Sequence, residues 1–425
     1  MDAPSDLKLR VAALLTARKI RNLNFTVIVL NVALIVFVFL MLDQGPPILR
    51  MSRKSEEAID ITDRELKAAL ARSNEKLTIL LMYPERWDAN NVMRLPYHCG
   101  NCEVSLDKSK VENPSTKALV FNFNDPIKEI APQTRRRDQY YVWITAESPV
   151  ALYHLRKMDL KGFDDFFNLT MSYRRDSDVY SPYGTHQQLR SYRKDLPFSD
   201  AELDTWVKSK SKVALWVASN CHATKHAVAR KDYVMELIKA GLDVELGGKC
   251  FQNSAANFRN HKFKFYLAFE NAWHCRDYIT EKFWHSGLRS GVVPVVLGPP
   301  KRDYETIAPS PKSFIYAGDF PTPRHLAEYL NYLDKNDSAY KEYLNWMKTD
   351  RKEVKERDRV TGFCQLCRIL HGINVDNVYN PDYKAKYKHI PLYQRPEGPR
   401  IVYSLNEWFY GSDYKECLGV SGLET

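Results

Sequence analysis

No glycine-rich phosphate loop of the Walker or GxGxxG kind occurs in this chain of 425 residues. That absence speaks against a nucleoside triphosphatase or a dinucleotide enzyme. No internal repeat or low-complexity tract is evident, so a solenoid or a fibrous protein is equally unsupported. Nor is there a long block of like charge. The net charge is +10, yet Lys and Arg are spread along the chain and the tightest run, Arg135-Arg136-Arg137, is short. A nucleic-acid binder is disfavoured, and a basic protein that handles anionic small molecules fits the same balance. Finally, no small-residue cleavage site follows the one long apolar run. The chain continues Asp43-Gln44-Gly45-Pro46-Pro47, which favours an uncleaved anchor over a cleaved signal peptide.

That run, Phe25 to Leu42, holds 18 consecutive uncharged residues with only Thr26 and Asn31 polar, close to the length that spans a bilayer as a helix. Lys8, Arg10, Arg18, Lys19 and Arg21 precede it, so the short N-terminus is expected in the cytosol and the bulk of the chain in a lumen. The run is short and rich in Phe and Val, which suits a thinner secretory-pathway membrane. Eight cysteines agree with an oxidising compartment. Two CxxC pairs, Cys99-Cys102 and Cys364-Cys367, match the ligand set of a zinc site, but beyond a membrane anchor disulfides are the favoured reading. Sequons at Asn168-Leu-Thr and Asn336-Asp-Ser are expected to be accessible on that side. Asn113-Pro-Ser is blocked by its proline, and Asn24-Phe-Thr lies at the membrane edge.

After a polar, charged stretch with helical spacing, apolar strand candidates begin at KLTILLMY (76–83) and continue through KALVFNF (117–123) and QYYVWITAESP (139–149). From KVALWVASNC (212–221) onward, strands alternate with helices of about 10 to 15 residues, the mark of βαβ units and a parallel sheet. Two α/β lobes with a break near residue 205 are expected.

The densest chemistry lies in FYLAFENAWHCRDYITEKFWHSGLRSGVVPVVLGPP (265–300). An aromatic strand leads into a polar loop, a helix and a Val-rich strand. Packing has no use for Glu270, Asn271, Asp277, Tyr278, Glu281 and Lys282 in such proximity. Parallel α/β sheets bind ligands at the carboxyl ends of their strands, where the next helices begin. Thr280 is placed to cap that helix, whose amides and positive dipole end favour phosphate oxygens, with Lys282 adding a full charge. Glu281 is suited to accept hydrogen bonds from sugar hydroxyls, although an acidic residue in a first turn is also ordinary helix chemistry. Arg230 starts a helix after another strand, where it has little packing value but can engage phosphate bidentately.

FYLAFEN…DYITEKFW…GVVPVVLGPP resembles the donor-binding signature of the α1,3-fucosyltransferases, inverting glycosyltransferases of family 10 with the two-lobed GT-B fold that use GDP-fucose. FNLTMSYRRDSDVYSPYG (167–184), WVASNC (216–221), ARKDYVMEL (229–237) and the late CxxC agree in order, so the resemblance covers roughly residues 80 to 370. It implies two Rossmann-like lobes with a cleft between them, plus the N-terminal transmembrane helix. It implies Lys282 and Arg230 as diphosphate-binding cations, Asn271, Tyr278 and Glu281 as lining of the GDP-fucose pocket, and Glu147 of AESP as the general base. An inverting displacement needs such a carboxylate to take the acceptor hydroxyl's proton. Without the resemblance, Glu147 reads as a solvated loop acid.

The Asp176-x-Asp178 pair resembles a divalent-ion motif. The family uses no such motif for chemistry, so the pair is read as structural or cleft-lining. No metal and no cofactor is expected to be tightly bound, with Mn2+ or Mg2+ at most stimulating activity. In animal relatives the early and late cysteine pairs are cross-linked, which implies bridges from Cys99 and Cys102 to Cys364 and Cys367 with the pairing open. Cys221 and Cys250 flank one βαβ segment and make a candidate third bridge. Cys275 and Cys417 remain, as a fourth bridge or free.

The implied organisation is a cytosolic tail (1–24), a signal anchor (25–42), a stem (43–75), an acceptor-side lobe (76–205), a GDP-fucose-binding lobe (206–362) and a CxxC- and aromatic-rich tail (363–425). The tail's Tyr and Trp residues either stack on sugar rings or wrap the second lobe. SNC with the later GGKC, and APSP, look more like the N-glycan-core α1,3-fucosyltransferases of invertebrates and plants than the vertebrate Lewis-type enzymes. The expected acceptor is therefore the innermost GlcNAc of N-glycans on glycoproteins, with the chain anchored in the Golgi membrane as a single-pass type II protein. Two alternatives remain: a Lewis-type enzyme acting on antennal N-acetyllactosamine or LacdiNAc, and a catalytically dead, membrane-anchored glycan-binding protein. Against the latter, all six site residues are present.

Overall fold

The computed structural model describes residues 75–82, 93–96, 99–123, 126–132, 134–186, 188–189, 197, 199–253, 262–348, 361–372, 401–411 and 417. The expected cytosolic tail, membrane span and nearly all of the stem lie outside the described residues. Within them, no helix is long and apolar enough to cross a membrane.

The first lobe is a seven-stranded sheet. Its strands are β1 (Leu77–Leu81), β2 (Met93–Arg94), β3 (Cys102–Ser105), β4 (Thr116–Asn122), β5 (Tyr140–Thr145), β6 (Leu169–Ser172) and β7 (Val179–Tyr180). They lie in the order β2-β3-β1-β4-β5-β6-β7, all pairs parallel except β2 with β3. Near-continuous apolar runs such as LTILL and YYVWIT are what a sheet covered on both faces requires. Alternate residues serve opposite cores. Ile79, Val120, Val142 and Met171 face one, and Leu80, Phe121, Trp143 and Phe167 face the other.

The second lobe carries β8 (Lys212–Val217), β9 (Val244–Gly247), β10 (Phe263–Phe269), β11 (Val293–Leu297) and β12 (Ile315–Tyr316) in the all-parallel order β12-β11-β10-β8-β9. The winding reverses between β8 and β10, which opens a crevice at their carboxyl ends. The helix Asp200–Lys208, started by a Ser199/Glu202 capping box, buries Leu203 and Val207 in this second core. The change of lobe therefore precedes Asp200 rather than falling near residue 205, because that helix belongs to the second core.

The C-terminal residues do not stay with the second lobe. The helix Gly362–Leu370 covers one face of the first sheet through Leu366, Cys367, Ile369 and Leu370. The helix Leu405–Tyr410 covers the other through Leu405, Phe409 and Tyr410, with Phe409 5.0 Å from the Trp143 ring. The expectation that tail aromatics wrap the second lobe is thus corrected for these residues: Trp408, Phe409 and Tyr410 are core and edge of the first.

All eight cysteines are paired: Cys99–Cys364, Cys102–Cys367, Cys221–Cys250 and Cys275–Cys417. Cys364 and Cys367, three apart on one helical face, hold the Gly362–Leu370 helix to the start of β3. Each of these two bridges spans 265 residues; the first to close contributes on the order of 5 kcal/mol in the loop-entropy account, and the second, which then closes only a short loop, adds less.

The two sequons differ. Asn336 is half-buried and caps the helix Asp337–Glu342 through Ala339 N–H. Asn168 is only 1% exposed, its carboxamide oxygen accepting from Tyr141 N–H at 2.8 Å and from Arg135 at 2.6 Å. Packed this way it is not an accessible glycan site, against the expectation from its sequence.

Candidate active site

β10 is buried along its whole length and ends on Glu270, which has no exposed surface. A carboxyl group there needs partners, and Thr280 and Lys282 supply them. Glu270 Oε1 accepts from Thr280 N–H (2.8 Å) and from its hydroxyl (2.8 Å), and Oε2 lies 3.1 Å from Lys282 Nζ. Lys282 Nζ also donates to Thr280 Oγ1 (2.8 Å) and Glu281 Oε1 (3.0 Å). Gly298, at the end of β11, makes the cluster possible. A Cβ at this position would come within 2.9 Å of Glu270 Cγ and of the Tyr304 hydroxyl.

Burial pushes the Glu270 carboxyl up from its ordinary value, opposed by Lys282 and the Thr280 donors. Burial works to lower Lys282, but Glu270 and then Glu281 outweigh it and hold the ammonium above its usual value. Glu281 is lowered: its partial burial is overcome by Lys282 beside it. The result is a cation fixed by two carboxylates, one buried beneath it and one half-open to solvent.

The helix after this cluster is short and irregular. It runs from Lys282 to Gly287 with π-type hydrogen bonding and closes as a 3-10 turn at Leu288–Ser290. Glu281 stands at its N-cap without a side-chain cap bond, and Thr280 before it takes up the first amides, its carbonyl accepting from Phe283 N–H at 3.1 Å and its hydroxyl from Lys282 N–H at 3.4 Å. An open helix end was expected to bind anion; with those amides already engaged, Lys282 is the principal positive group here.

Between Glu270 and Thr280 the loop is tightly held. His274 and Asp277 take positive φ values of 59° and 61°. His274 N–H donates to Gly298 O at 2.9 Å, and Cys275 is bridged to Cys417. Trp273 N–H donates to His226 Nδ1 at 2.8 Å. Tyr278 is buried and donates its hydroxyl to Asn271 Oδ1 at 3.2 Å, so these two site residues form one unit.

Arg230 lies in the crevice where the winding reverses. It is carried by the helix Lys225–Lys239, which Thr224 caps. Its Nη1 donates to Phe269 O at the end of β10 (2.8 Å), and its Nη2 to Asn220 O beyond β8 (2.6 Å). Nε is buried without a hydrogen-bond partner. The guanidinium therefore braces the two strand ends and keeps only part of its donor set for an anion, rather than presenting the open fork its position suggests. Burial lowers its pKa, countered first by Glu270.

Glu147 follows β5 in the first lobe, half-buried, its N–H donating to Thr145 Oγ1 at 3.1 Å. What brings it to the second lobe is Tyr183, from the Pro-Tyr-Gly turn after β7. Tyr183 donates its hydroxyl to Ala146 O, and its ring lies 6.3 Å from that of Tyr278. Burial raises the Tyr183 phenol, as do Glu147, then Glu281 and Glu270. A neutral phenol thus stands among the carboxylates of both lobes. Gly184 presses on the Trp284 ring; a Cβ there would approach to 2.5 Å.

Asn271, Tyr278, Glu281 and Lys282 are thus joined with Arg230 around one strand-end crevice, and Glu147 approaches from the facing lobe. Glu270 and Thr280 stood out in the sequence, but not as the residues that hold Lys282, and Tyr183, which links the lobes, was not singled out. A lone acid after the apolar run FYLAF (265–269) was the signal for Glu270; the Pro-Tyr-Gly turn was the signal for Tyr183. Asp176 and Asp178 diverge. Asp176 pairs with Arg174 (2.6 Å) and Arg276 (3.3 Å), while Asp178 accepts from Thr170 N–H (2.8 Å).

Residues 207–384 match the family model described as glycosyltransferase family 10 (fucosyltransferase), C-terminal, and residues 74–184 match that described as fucosyltransferase, N-terminal. A 3-galactosyl-N-acetylglucosaminide 4-alpha-L-fucosyltransferase of Bos taurus is 35% identical over 274 residues, 63% of this chain and 69% of the relative. A 4-galactosyl-N-acetylglucosaminide 3-alpha-L-fucosyltransferase of Homo sapiens is 33% identical over 302 residues, 68% and 75% of the two chains. A crystal structure of an alpha1,3-fucosyltransferase with GDP-fucose aligns with a TM-score of 0.42 at 18% identity, over 66% of this chain and 84% of that one. One matched segment falls on each of the two sheets, and the chain belongs to glycosyltransferase family 10, the fucosyltransferases.

Proposed function

We propose that this enzyme is an inverting α1,3-fucosyltransferase that moves fucose from GDP-fucose to a GlcNAc residue of glycoprotein glycans. The observation that carries the reading is the Glu270–Thr280–Lys282–Glu281 cluster beside Arg230, at the crevice of one lobe, with Glu147 of the other lobe linked to it through Tyr183. Lys282 and the remaining donors of Arg230 meet the diphosphate. Asn271, Tyr278 and Glu281 line the nucleotide-sugar pocket.

In a single displacement, Glu147 takes the proton of the acceptor hydroxyl as its oxygen bonds to the anomeric carbon. The bond from that carbon to the diphosphate oxygen breaks in the same step, and Lys282 with Arg230 stabilises the charge that GDP carries away. The configuration at carbon is inverted, and Glu147 keeps the proton until solvent removes it. The buried ion pair fixes Lys282 before the donor arrives, so little reorganisation is needed during reaction.

For the acceptor, the reading is the innermost GlcNAc of N-glycans, resting on the SNC and GGKC segments now seen joined as Cys221–Cys250, and on APSP. The names of the relatives, which act on galactosyl-N-acetylglucosaminides, favour a second reading, a Lewis-type enzyme acting on antennae. The charge bias around residues 25–42 and the full pairing of cysteines support a type II protein of the Golgi membrane with a lumenal catalytic region.

Incubating the lumenal fragment with GDP-fucose, Mn2+ or EDTA, and glycans offering only core or only antennal GlcNAc tests this reading. Mass spectrometry should place fucose on the innermost GlcNAc. Fucose confined to antennae overturns the core assignment in favour of the Lewis-type reading, and no fucose on either glycan overturns both.

A further inference from the structure

Arg174 and Arg175 leave the same turn after β6 in opposite directions. Arg174 turns back into its own lobe, pairing with Asp176 and donating to Trp408 O at 2.7 Å. Arg175 crosses to the other lobe. Its backbone N–H donates to Asp277 Oδ2 (2.9 Å), its Nε to Asp277 Oδ1 (2.5 Å) and its Nη2 to Asp303 Oδ1 (2.8 Å). Asp303 closes the ring by accepting Asp277 N–H through Oδ2 at 3.0 Å. Both carboxylates are nearly sealed, with side-chain exposures of 6% and 2%, so without the guanidinium they would be two like charges sharing a dry site.

The location gives this ring a consequence for the reaction. Asp277 precedes Tyr278 directly and sits in the left-handed region, a conformation that needs outside support in a residue other than glycine. Tyr173, two residues before Arg175, packs its ring edge on Tyr278 at 5.1 Å. The loop that carries Asn271 and Tyr278 is thereby fastened to the lobe that carries Glu147 by Arg175, with the Tyr173 ring and the Arg276–Asp176 pair beside it.

We propose that Arg175 is a positioning residue for the transfer reaction, setting the donor loop of one lobe against the base of the other. This rests on the donor and base roles given above. Arg175 touches no reacting atom; it acts through Asp277 and Asp303. Lysine cannot reproduce the arrangement, since a single ammonium cannot bridge two carboxylates as a planar fork does.

The test compares the unaltered enzyme with R175A, R175K and D303N, all at a temperature well below each variant's melting midpoint. GDP affinity is read by calorimetry, kcat and KM from transfer assays, and amide hydrogen exchange over residues 271–278 by mass spectrometry. For R175A, kcat should fall about 100-fold and GDP bind about tenfold more weakly, with faster loop exchange. R175K should lie between R175A and the unaltered enzyme. The double variant R175A/D303N should lose no more kcat than R175A alone, because both act in one unit. If R175A does not fold, R175K and D303N carry the same readouts.

A lowered melting midpoint with kcat, GDP affinity and loop exchange all within about twofold of the unaltered enzyme would make Arg175 merely structural and overturn the proposal. Its failure stays separate from that of the functional reading. An unaltered chain that binds GDP but fucosylates no glycan overturns the acceptor reading, and GDP affinity and loop exchange then decide Arg175.

Discussion

On the proposed roles, the two lobes bring unequal machinery to one reaction. The second lobe surrounds Lys282 with Glu270, Thr280 and Glu281, seals the cluster under Gly298, and braces the adjoining strand ends with Arg230. The first lobe brings Glu147 on a short turn held by a bond from its N–H to Thr145. The contrast comes from what each side has to do. A leaving diphosphate must be met by charge already in place, because a cation that had to be desolvated during the reaction would return much of its advantage. A base must instead change protonation in every turnover, which a carboxyl locked into a buried ion pair cannot readily do.

The largest effect should come from the sparse side. Glu147→Gln keeps the shape of the turn and removes the proton acceptor, so transfer should fall by about 100- to 10,000-fold while GDP affinity stays unchanged. Single-turnover assays beside calorimetry measure both. Turnover near that of the unaltered enzyme would place the base elsewhere and erase the division of labour between the lobes.

On the other side the expected signature is a double one. Lys282→Met should lower transfer by about 100- to 1,000-fold and weaken GDP binding, and it should also destabilise the fold by about 3–5 kcal/mol by leaving Glu270 buried without its cation. Adding Glu270→Gln should restore much of that stability, read by urea unfolding, without restoring transfer. Recovery of both would mean that Lys282 serves only to neutralise Glu270.

Sequence alone reached these two sides to different depths, for physical reasons. The second lobe was legible because strand-helix alternation is a local signal and because Glu281 and Lys282 open the helix that follows a largely apolar strand. Chemistry at a strand's carboxyl end can be argued from that pattern without any relative. Glu147 carries no such mark, and only the resemblance to a family raised it above a solvated acid. What stayed hidden depends on contacts between distant residues. Asn168 reads as an open sequon until Arg135, from another loop, is seen on its carboxamide. Trp408 and Phe409 read as part of a tail that stacks on sugars or wraps the second lobe until Trp143 of the first lobe is found against them. Arg230 was expected near the strand ends, but nothing in ARKDY says that two of its donors go to strand-end carbonyls.

The smallest expected effect lies where the lobes meet. His226, on the second lobe, accepts Trp273 N–H through Nδ1 and so supports the donor loop in its neutral form. Burial, then His274 and then His154 of the first lobe push its pKa from 6.5 down to about 4. A folded-state pKa below the unfolded one means that the unfolded chain binds the proton first. Above about pH 6.5 the imidazole is neutral in both states and contributes no pH dependence; as pH falls from there toward 4, the folded state loses up to about 3 kcal/mol relative to the unfolded chain. His226→Asn retains an acceptor for Trp273 N–H and removes the titration, so its stability should fall less steeply across that window. Urea midpoints at pH 7 and pH 5 compare the two chains. Equal slopes would show that the loop does not depend on a neutral His226, and that His154 exerts no pH-dependent influence on the second lobe through it.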